Sequence, residues 1–270
     1  MSTSERPKSR RVQRPPTLLL ILAGTGLALF AVPLVGLVAR VPWGSLPELL
    51  ASEIVIDAFR LSLVASLSAT AIAFVLGIPL AWVLARLEFP GRALVRGIVT
   101  LPLVLPPVVG GAALLFALGR RGLVGEVVYE ATGLLLPFSA WGVVVATTFV
   151  AMPFMVITVE GALRSLDQRY EGAATTLGAG RWTVLRRVTL PMIAPSILSG
   201  VVLTWARAFG EFGATITFAG NLQGETQTLP LAVFVTLESD RDAAVAISLL
   251  MVVVSLAVLI ALRDRWWRSV

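Results

Sequence analysis

The chain has 270 residues, of which 57% are hydrophobic and 14% are charged, and its mean hydropathy is +0.88. An average soluble domain is about 45–50% apolar and about 25% charged, so this composition excludes an ordinary soluble domain and a disordered chain. The absence of histidine and cysteine removes most zinc, haem and iron–sulfur ligation and excludes thiol catalysis. The single lysine, Lys8, follows no glycine-rich run, so the sequence has no phosphate-binding loop of the GxxxxGK[ST] type.

Six apolar stretches divide the chain, and each is long enough for a helix that crosses a bilayer core, which takes about 20 residues. They cover residues 17–39, 61–85, 98–118, 138–159, 193–219 and 243–262. Runs of this length are typical of helices rather than strands. The first run is longer than the roughly 7–15-residue apolar core of a signal peptide, and no A-x-A site follows it, so we interpret it as an uncleaved span. The pattern predicts an all-α membrane protein with six transmembrane helices.

Basic residues indicate on which side of the membrane the chain ends lie. Most of the 22 Lys and Arg residues fall in the tail 1–16, in the loops after the second and fourth stretches, and in the tail 263–270. The positive-inside rule places these segments, and therefore both termini, in the cytoplasm. This topology and attraction to anionic headgroups account for the formal net charge of +6, so the charge indicates no nucleic-acid partner.

The third stretch is crowded with residues that disturb helices. Pro102, Pro106 and Pro107 are followed by Gly110 and Gly111, and a proline inside a helix removes a backbone donor and bends or breaks the helix. Broken backbone at membrane depth is tolerated where it is buried in protein or lines a wet cavity. We therefore predict a bend that lines a translocation pathway and includes Pro106, Pro107 and Gly110. An ordinary proline kink is the alternative.

The segment between the fourth and fifth stretches, residues 160–191, is the longest predicted cytoplasmic connection, and it has helical periodicity. An apolar stripe is followed by a glycine-rich break at residues 178–180 and by a second short amphipathic piece that ends at Pro191. The stripe and the second piece consist of Leu163, Leu166, Tyr170, Ala173, Ala174 and Leu177, and then of Trp182, Leu185 and Val188. The pattern predicts a helix, a glycine turn and a second helix at the membrane face. This arrangement suits either a knob that docks another protein or an amphipathic helix that lies on lipid headgroups.

The fifth stretch contains Arg207 and Glu211, which are four residues apart and therefore share one face of a helix. In a helix that begins at Ile193, Glu211 lies about 27 Å from the start, near the outer end of a hydrocarbon core of about 30 Å. A charge at that depth is costly unless it is paired or faces water. The pair is therefore either a gate near the outer mouth of a pathway or a structural ion pair. We include Thr204 and Thr215 among the candidate pathway residues.

The segment 160–191 resembles the EAA motif of the membrane subunits of ABC importers, in which E-A-A is followed by a glycine and later by a hydrophobic-x-L-P ending. Gly172 departs from the motif, since the family usually has alanine there. The resemblance implies a coupling helix that sits in a groove of a separate ATPase subunit. It assigns to this coupling Glu171, Gly172, Ala173, Ala174, Gly178, Gly180, Arg181 and Pro191.

Three stretches are similar to the molybdate-type permeases: residues 101–126, 177–191 and 206–230, the last of which contains the run Gly-Glu-Phe-Gly-Ala-Thr. The resemblance implies the type I ABC importer permease fold. The expected organisation is a basic cytoplasmic tail at 1–16, a first transmembrane helix at 17–39, a permease core at 56–262 and a cytoplasmic tail at 263–270. Asn221, Thr226 and Thr228 then lie in an outer loop, where a binding protein could dock.

The function implied by this resemblance is that of the permease of an ATP-driven molybdate importer in a bacterial or archaeal cytoplasmic (inner) membrane. We expect a homodimer with two ATP-binding subunits on the cytoplasmic side and a soluble oxyanion-binding protein on the outer side. We expect no catalysis and no cofactor in this chain, because ATP and Mg are bound by the partner ATPase. Permeases for tungstate or for sulfate and thiosulfate are alternatives in the same class. An ion-coupled carrier is a remote alternative, because such carriers place several ionisable or unwound sites at the midplane.

Overall fold

The computed structural model describes residues 16–266, with side chains described as far as Ala261. The two predicted basic tails lie outside the described residues, apart from Pro16 and the helical backbone that ends at Trp266. The described chain divides into two units between Val41 and Pro42. In the first unit, helix α1 covers Thr17–Ala39, as the sequence predicted for the first span.

The second unit is built from helices joined by short connections, and the described residues include no strand. Its first half contains α2 (Leu46–Leu50), α3 (Glu53–Arg86), α4 (Arg92–Val104), α5 (Pro107–Leu118), α6 (Gly125–Thr132) and α7 (Ala140–Ser165). Its second half contains α8 (Arg169–Thr176), α9 (Arg181–Val184), a π-helical turn (Leu185–Thr189), α10 (Leu190–Phe209), α11 (Gly213–Phe218), α12 (Leu229–Ser239) and α13 (Arg241–Trp266). The all-α class predicted from the sequence is confirmed.

Five helices of the described chain are long and apolar enough to cross a membrane. They are α1, α3, α7, the continuous helix from Arg181 to Phe209, and α13. The third predicted stretch is not among them, because it forms the two shorter helices α4 and α5. The chain is therefore a multi-pass membrane protein with one predicted span broken in the middle.

Two adjacent prolines cause the break between α4 and α5. A residue that precedes proline is pushed out of the helical region, and this applies to Leu105 and to Pro106. Both have extended backbones, with ψ of 137° and 131° respectively. Pro107 then begins α5, a position where its missing N–H leaves no helical hydrogen bond unmade. The predicted bend is confirmed, and it is a complete interruption of the helix.

The fifth stretch is also interrupted, so the prediction of one continuous helix over residues 193–219 is wrong. Helix α10 ends at Phe209, and the short helix α11 begins only at Gly213. Gly210 favours the end of a helix because glycine is a poor helix former. Glu211 therefore lies in the connection between two helices, and its calculated position along a continuous helix does not apply.

Small residues let the central helices approach closely, which is how helices commonly pack where lipid removes the usual hydrophobic driving force. The side chain of Met155 in α7 is fully buried. A Cβ at Gly77 of α3 would lie 3.2 Å from its Cγ, and one at Gly200 of α10 would lie 3.1 Å from its sulfur. Met155 thus fills the space between two glycines on two neighbouring helices, and it joins α3, α7 and α10 in one core.

The two interrupted stretches pack against each other. A Cβ added to Gly111 of α5 would lie 2.8 Å from the carbonyl oxygen of Ala214 and 2.7 Å from the Cβ of Thr217, both in α11. A Cβ added to Gly213 would lie 2.6 Å from the Cβ of Pro107. The breaks in the third and fifth stretches therefore form one junction, which is defined here as residues 105–111 and 210–217 and called the break junction.

The loop beyond the fifth stretch is more ordered than the sequence suggested. We expected Thr226 and Thr228 to lie in a loop where a binding protein could dock. Both are buried, at 1% and 3% exposure, so neither contributes to an exposed docking surface. The Thr226 hydroxyl accepts a hydrogen bond from the Leu222 N–H at 2.8 Å. Leu229 donates its N–H to the hydroxyl of Ser62 at 2.7 Å and so anchors the start of α12 to α3. The apolar helix α12 was not predicted.

We expect Gly111→Ala to destabilise the protein by about 1–3 kcal/mol, because the added methyl meets backbone atoms of α11 that cannot move aside. Gly97→Ala is the matched control, since nothing lies within 4 Å of a Cβ there and alanine favours the helix. The free energy of unfolding in detergent micelles measures both. Equal stability of the two variants would contradict the close packing of α5 on α11.

Candidate functional site

The helix–glycine turn–helix predicted for residues 160–191 is present, but its first helix starts later than the periodicity indicated. Helix α7 continues to Ser165, and the chain turns at Leu166, whose backbone is extended. Leu163 is therefore buried in the bundle at 1% exposure, whereas Tyr170 and Leu177 are 57% and 88% exposed. The prediction of one continuous apolar stripe is wrong, because its residues belong to the end of α7 and to the separate surface helix α8.

Helix α8 ends in a Schellman motif that requires glycine at one position. The N–H of Gly178 bonds to the carbonyl of Thr175 at 2.9 Å, and the N–H of Ala179 bonds to that of Ala174 at 3.0 Å. Gly178 has a φ of +87°, which glycine adopts at no steric cost. At the other end of α8, the Asp167 carboxylate accepts the Arg169 N–H at 3.0 Å.

Glu171 holds α8 against the rest of the protein. Its Oε1 accepts hydrogen bonds from Arg86, at the end of α3, at 3.0 Å and from the Thr189 hydroxyl, in the π-helical turn, at 2.6 Å. The Arg86 and Glu171 side chains are only 12% and 22% exposed. A charge-assisted hydrogen bond in such a site is stronger than one between neutral groups. Glu171 is therefore a brace inside the chain and does not belong to the exposed face of α8.

The other predicted coupling residues form an outer surface. Nothing lies within 4 Å of a Cβ built on Gly172, Gly178 or Gly180. Ala173 and Arg181 are exposed to solvent. Ala174 is half-buried, and Pro191 is exposed. The surface of residues 169–180, with its small residues and its exposed Tyr170 and Leu177, is called the knob below.

Pro191 does not end the second helix, as the sequence suggested. The chain continues from Arg181 to Phe209 through the π-helical turn, where the Leu190 N–H bonds to the carbonyl of Leu185. A proline ring clashes with the carbonyl four residues before it, and a local π-helical turn is a recognised way of accommodating such a disturbance. The second helix of the segment and the fifth span are consequently one continuous helix.

Arginines of the predicted inside loops also pair at this end of the bundle. Glu160 of α7 is 6% exposed, and its Oε1 accepts from the Nε of Arg96 at 3.1 Å and lies 3.0 Å from the Arg164 guanidinium. Arg92 donates to the carbonyl of Leu84 at 2.9 Å and so satisfies the end of α3. Sequence reasoning used these arginines for topology alone, because their partners are far away in the chain.

A cavity of about 310 Å³ lies at the break junction. It is lined by Pro107 and Val108 at the start of α5, by Arg207, and by residues 210–213. Arg207 and Glu211 form an ion pair across the end of α10. The Glu211 Oε1 also accepts the Ala214 N–H at 2.8 Å and thereby caps α11. The carboxylate is 1% exposed and the Arg207 side chain 29% exposed, so the pair is structural and also lines a cavity.

Three of the seven predicted pathway residues line this cavity, namely Pro107, Arg207 and Glu211. The other four lie elsewhere: Pro106 precedes α5, Gly110 faces the ring of Phe149, and Thr204 and Thr215 are fully buried. Sequence reasoning missed Val108, Gly210, Phe212 and Gly213 as lining residues. The signal that pointed to the last three of these was the Gly-Glu-Phe-Gly run, which we read as part of a helix.

A bundle of apolar helices in which two of the predicted stretches are interrupted beside a cavity, with a braced knob at one end, fits a transport permease. The chain belongs to the family described as "Binding-protein-dependent transport system inner membrane component", whose sequence profile matches residues 73–268. It is a membrane permease of an ABC importer, and the resemblance to the molybdate-type permeases is confirmed by its relatives.

Those relatives cover most of the chain. The molybdenum transport system permease protein ModB of Mycobacterium tuberculosis is 46% identical over 93% of this chain and 94% of its own length. ModB of Escherichia coli is 44% identical over 78% of this chain and 92% of its own. The sulfate transport system permease protein CysT of Escherichia coli is 36% identical over 97% of each chain.

Solved structures show the same fold. A chain of a bacterial ABC transporter that imports the acidic polysaccharide alginate matches with a TM-score of 0.76 at 21% identity, over 93% of this chain and 94% of that one. A second alginate transporter structure, in complex with an alginate-bound periplasmic protein, matches with a TM-score of 0.74 at 22% identity, over 90% of each chain.

We expect Arg207→Met to destabilise the protein by about 3 kcal/mol, because it leaves the buried Glu211 carboxylate without its partner. The double variant Arg207→Met/Glu211→Gln should recover most of this loss, since glutamine keeps the acceptor for the Ala214 N–H and carries no charge. The free energy of unfolding of the single and the double variant, measured in mixed micelles, tests both expectations. A double variant as unstable as the single variant would show that the unpaired charge is not the cause.

Proposed function

We propose that the chain is the membrane-spanning permease subunit of an ATP-driven importer for molybdate and that two copies enclose the translocation pathway. The observation that carries the proposal is the 46% identity to a molybdenum permease over 93% of the chain. The cavity between the interrupted spans supports a pathway role for the break junction, because irregular backbone at membrane depth is tolerated where it lines a cavity or is buried.

The proposal includes six spans per chain, with α4 and α5 counted together as the broken third span. Both termini lie in the cytoplasm of a bacterial or archaeal cell, and the chain resides in the inner membrane. The argument is the distribution of basic residues, and the grouping of Arg86, Arg92, Arg96 and Arg164 at one end of the bundle supports it. The knob then projects on the cytoplasmic side.

The knob is proposed to dock in a groove of a separate ATP-binding subunit, two of which serve the dimer. Exposed Tyr170 and Leu177 give it an apolar surface, and exposed apolar patches mark interaction sites. Gly172 and Gly178, with empty space around them, allow the backbone of a partner to approach. This chain performs no catalysis in the proposal; the partner subunit binds ATP and Mg and hydrolyses the nucleotide.

Force is proposed to pass from the knob to the break junction along one rod. Glu171 ties α8 to Thr189, and Thr189 belongs to the continuous helix that ends at Phe209. At about 1.5 Å per residue this helix is about 43 Å long. Its far end contains Arg207, which lines the cavity. Displacement of the knob by the ATPase subunits therefore reaches the cavity through a single helix.

A soluble oxyanion-binding protein on the outer side delivers the substrate in this proposal. One solved relative of the fold is in complex with a periplasmic protein, which supports a partner of this kind. Sulfate is the second candidate substrate, because the chain is 36% identical to a sulfate permease over 97% of each chain. Tungstate is nearly isosteric with molybdate and remains a third candidate.

Uptake of labelled molybdate into vesicles that contain the permease, its ATPase subunit and its binding protein tests the substrate. We expect ATP-dependent uptake that excess tungstate blocks and excess sulfate does not. Vesicles without the ATPase subunit are the control for the energy source. Equal competition by sulfate would assign the chain to sulfate transport, and uptake without the ATPase would point to an ion-coupled carrier.

We expect Glu171→Lys to reduce ATP-driven uptake at least tenfold while the protein still inserts, because the new ammonium group repels Arg86 and releases the knob. Asp167→Asn is the matched control on the same segment. Asp167 and Arg169 form an exposed pair 3.9 Å apart, and exposed pairs contribute little. Unchanged uptake in Glu171→Lys would contradict the coupling role of the brace.

A further inference from the structure

A two-part cleft lies between the end of α3 and the helix that begins at Arg181. Its outer part has a volume of about 770 Å³ and is lined by residues that include Arg86, Glu171, Thr175 and Arg181. Its inner part has a volume of about 350 Å³ and is lined by apolar residues that include Ile78 and Ile193. Both parts share Trp82, Trp182 and Leu185 in their walls, so the two spaces adjoin at these side chains.

The cleft changes from polar to apolar along the helices that form it. Arg86 is the last residue of α3, and Ile78 lies eight residues earlier, which is about 12 Å deeper in the bundle. On the antiparallel helix, Arg181 is the first residue and Ile193 lies well inside. Both helices therefore place their arginine at the same end and their apolar residues further in.

At the mouth, the described side chains leave one of the two arginines without an acidic partner. The Arg86 guanidinium is occupied by Glu171 at 3.0 Å. Among the side chains that the structure describes, residues 16–261, no carboxylate lies within 4.0 Å of the Arg181 side chain. The mouth consequently carries a net positive charge, which attracts an anionic group.

Two tryptophans mark the depth of the cleft. Trp82 and Trp182 are 36% and 67% exposed, and they stand in the walls where the polar and apolar parts meet. Tryptophan is enriched at the level of lipid headgroups, because its ring is apolar and its N–H needs a polar partner. This preference favours a placement in which the polar part of the cleft lies at headgroup level and the apolar part lies in the hydrocarbon region.

We infer that the cleft is a binding site for one anionic glycerophospholipid of the leaflet that faces the knob. Its phosphate contacts Arg181 at the mouth, and one acyl chain extends between Trp82 and Trp182 toward Ile78 and Ile193. The same lipid then contacts α3 and the helix that connects the knob to the break junction. The site goes beyond the proposed function, because its ligand is a lipid of the bilayer and not the transported anion, although Glu171 and Thr175 of its outer wall belong to the knob.

Native mass spectrometry of the purified full-length chain tests the site with two probes, dioleoylphosphatidylglycerol and dioleoylphosphatidylcholine. We expect one tightly bound phosphatidylglycerol per chain, with at least fivefold preference over phosphatidylcholine. Arg181→Gln should weaken the binding of phosphatidylglycerol about fivefold, because one arginine near a membrane surface contributes about 1 kcal/mol to the binding of an anionic lipid. Arg186→Gln, an exposed neighbour that does not line the cleft, should leave the preference unchanged.

A second variant, Ile78→Trp, fills the apolar part of the cleft and should weaken the binding of both lipids. Equal binding of the two lipids to the native chain, or equal loss in Arg181→Gln and Arg186→Gln, would overturn the site. Displacement of the lipid by millimolar inorganic phosphate would assign the mouth to a free anion instead. Displacement by the ATPase subunit would assign the cleft to a protein interface. Each of these measurements is independent of uptake, so the site and the proposed function can fail separately.

Discussion

Backbone hydrogen bonding without water is the constraint on which this structure depends. Inside a bilayer every N–H and C=O needs a partner within the protein, so a helix can be interrupted only where another element covers the gap. At the first interruption Pro106 and Pro107 have no N–H to satisfy, and at the second the N–H groups of Gly210 and Glu211 bond to the carbonyls of Ala206 and Ala208. Helices α5 and α11 pack on each other beside both interruptions. Glu211 closes the remaining gap by accepting the Ala214 N–H. The cavity lies where the interruption before α5 meets the interruption before α11.

Features that depend on neighbouring residues could be predicted from the sequence. The first span was placed correctly at residues 17–39, the adjacent prolines indicated the break in the third, and Gly178 indicated the turn after α8. The break in the fifth stretch was missed because the Gly-Glu-Phe-Gly run at residues 210–213 was read as part of one continuous helix, although its two glycines are poor helix formers. The brace by Glu171 was also missed, since Arg86 is 85 residues away and only the fold brings them together.

Ionic groups have different tasks at the two ends of the long helix. At the end that carries the knob, Glu171 fixes the surface helix α8 to α3 through Arg86, and Glu160 joins α7 to α4 through Arg96. At the break junction, Arg207 and Glu211 are neighbours on one chain segment and hold the end of one helix against the start of the next. The first arrangement resists separation of elements, whereas the second fixes a local backbone geometry. A rigid connection between a partner-facing surface and a cavity needs both.

The packing of Met155 between Gly77 and Gly200 has an evolutionary consequence. Three helices share a single small volume there, and a methyl group added to either glycine would approach the methionine side chain to about 3.2 Å or less. Interiors at crystal-like density do not absorb extra atoms without a compensating loss. We therefore expect that, in related sequences, a larger residue at position 77 or 200 is accompanied by a smaller side chain at position 155, so that the three positions change together.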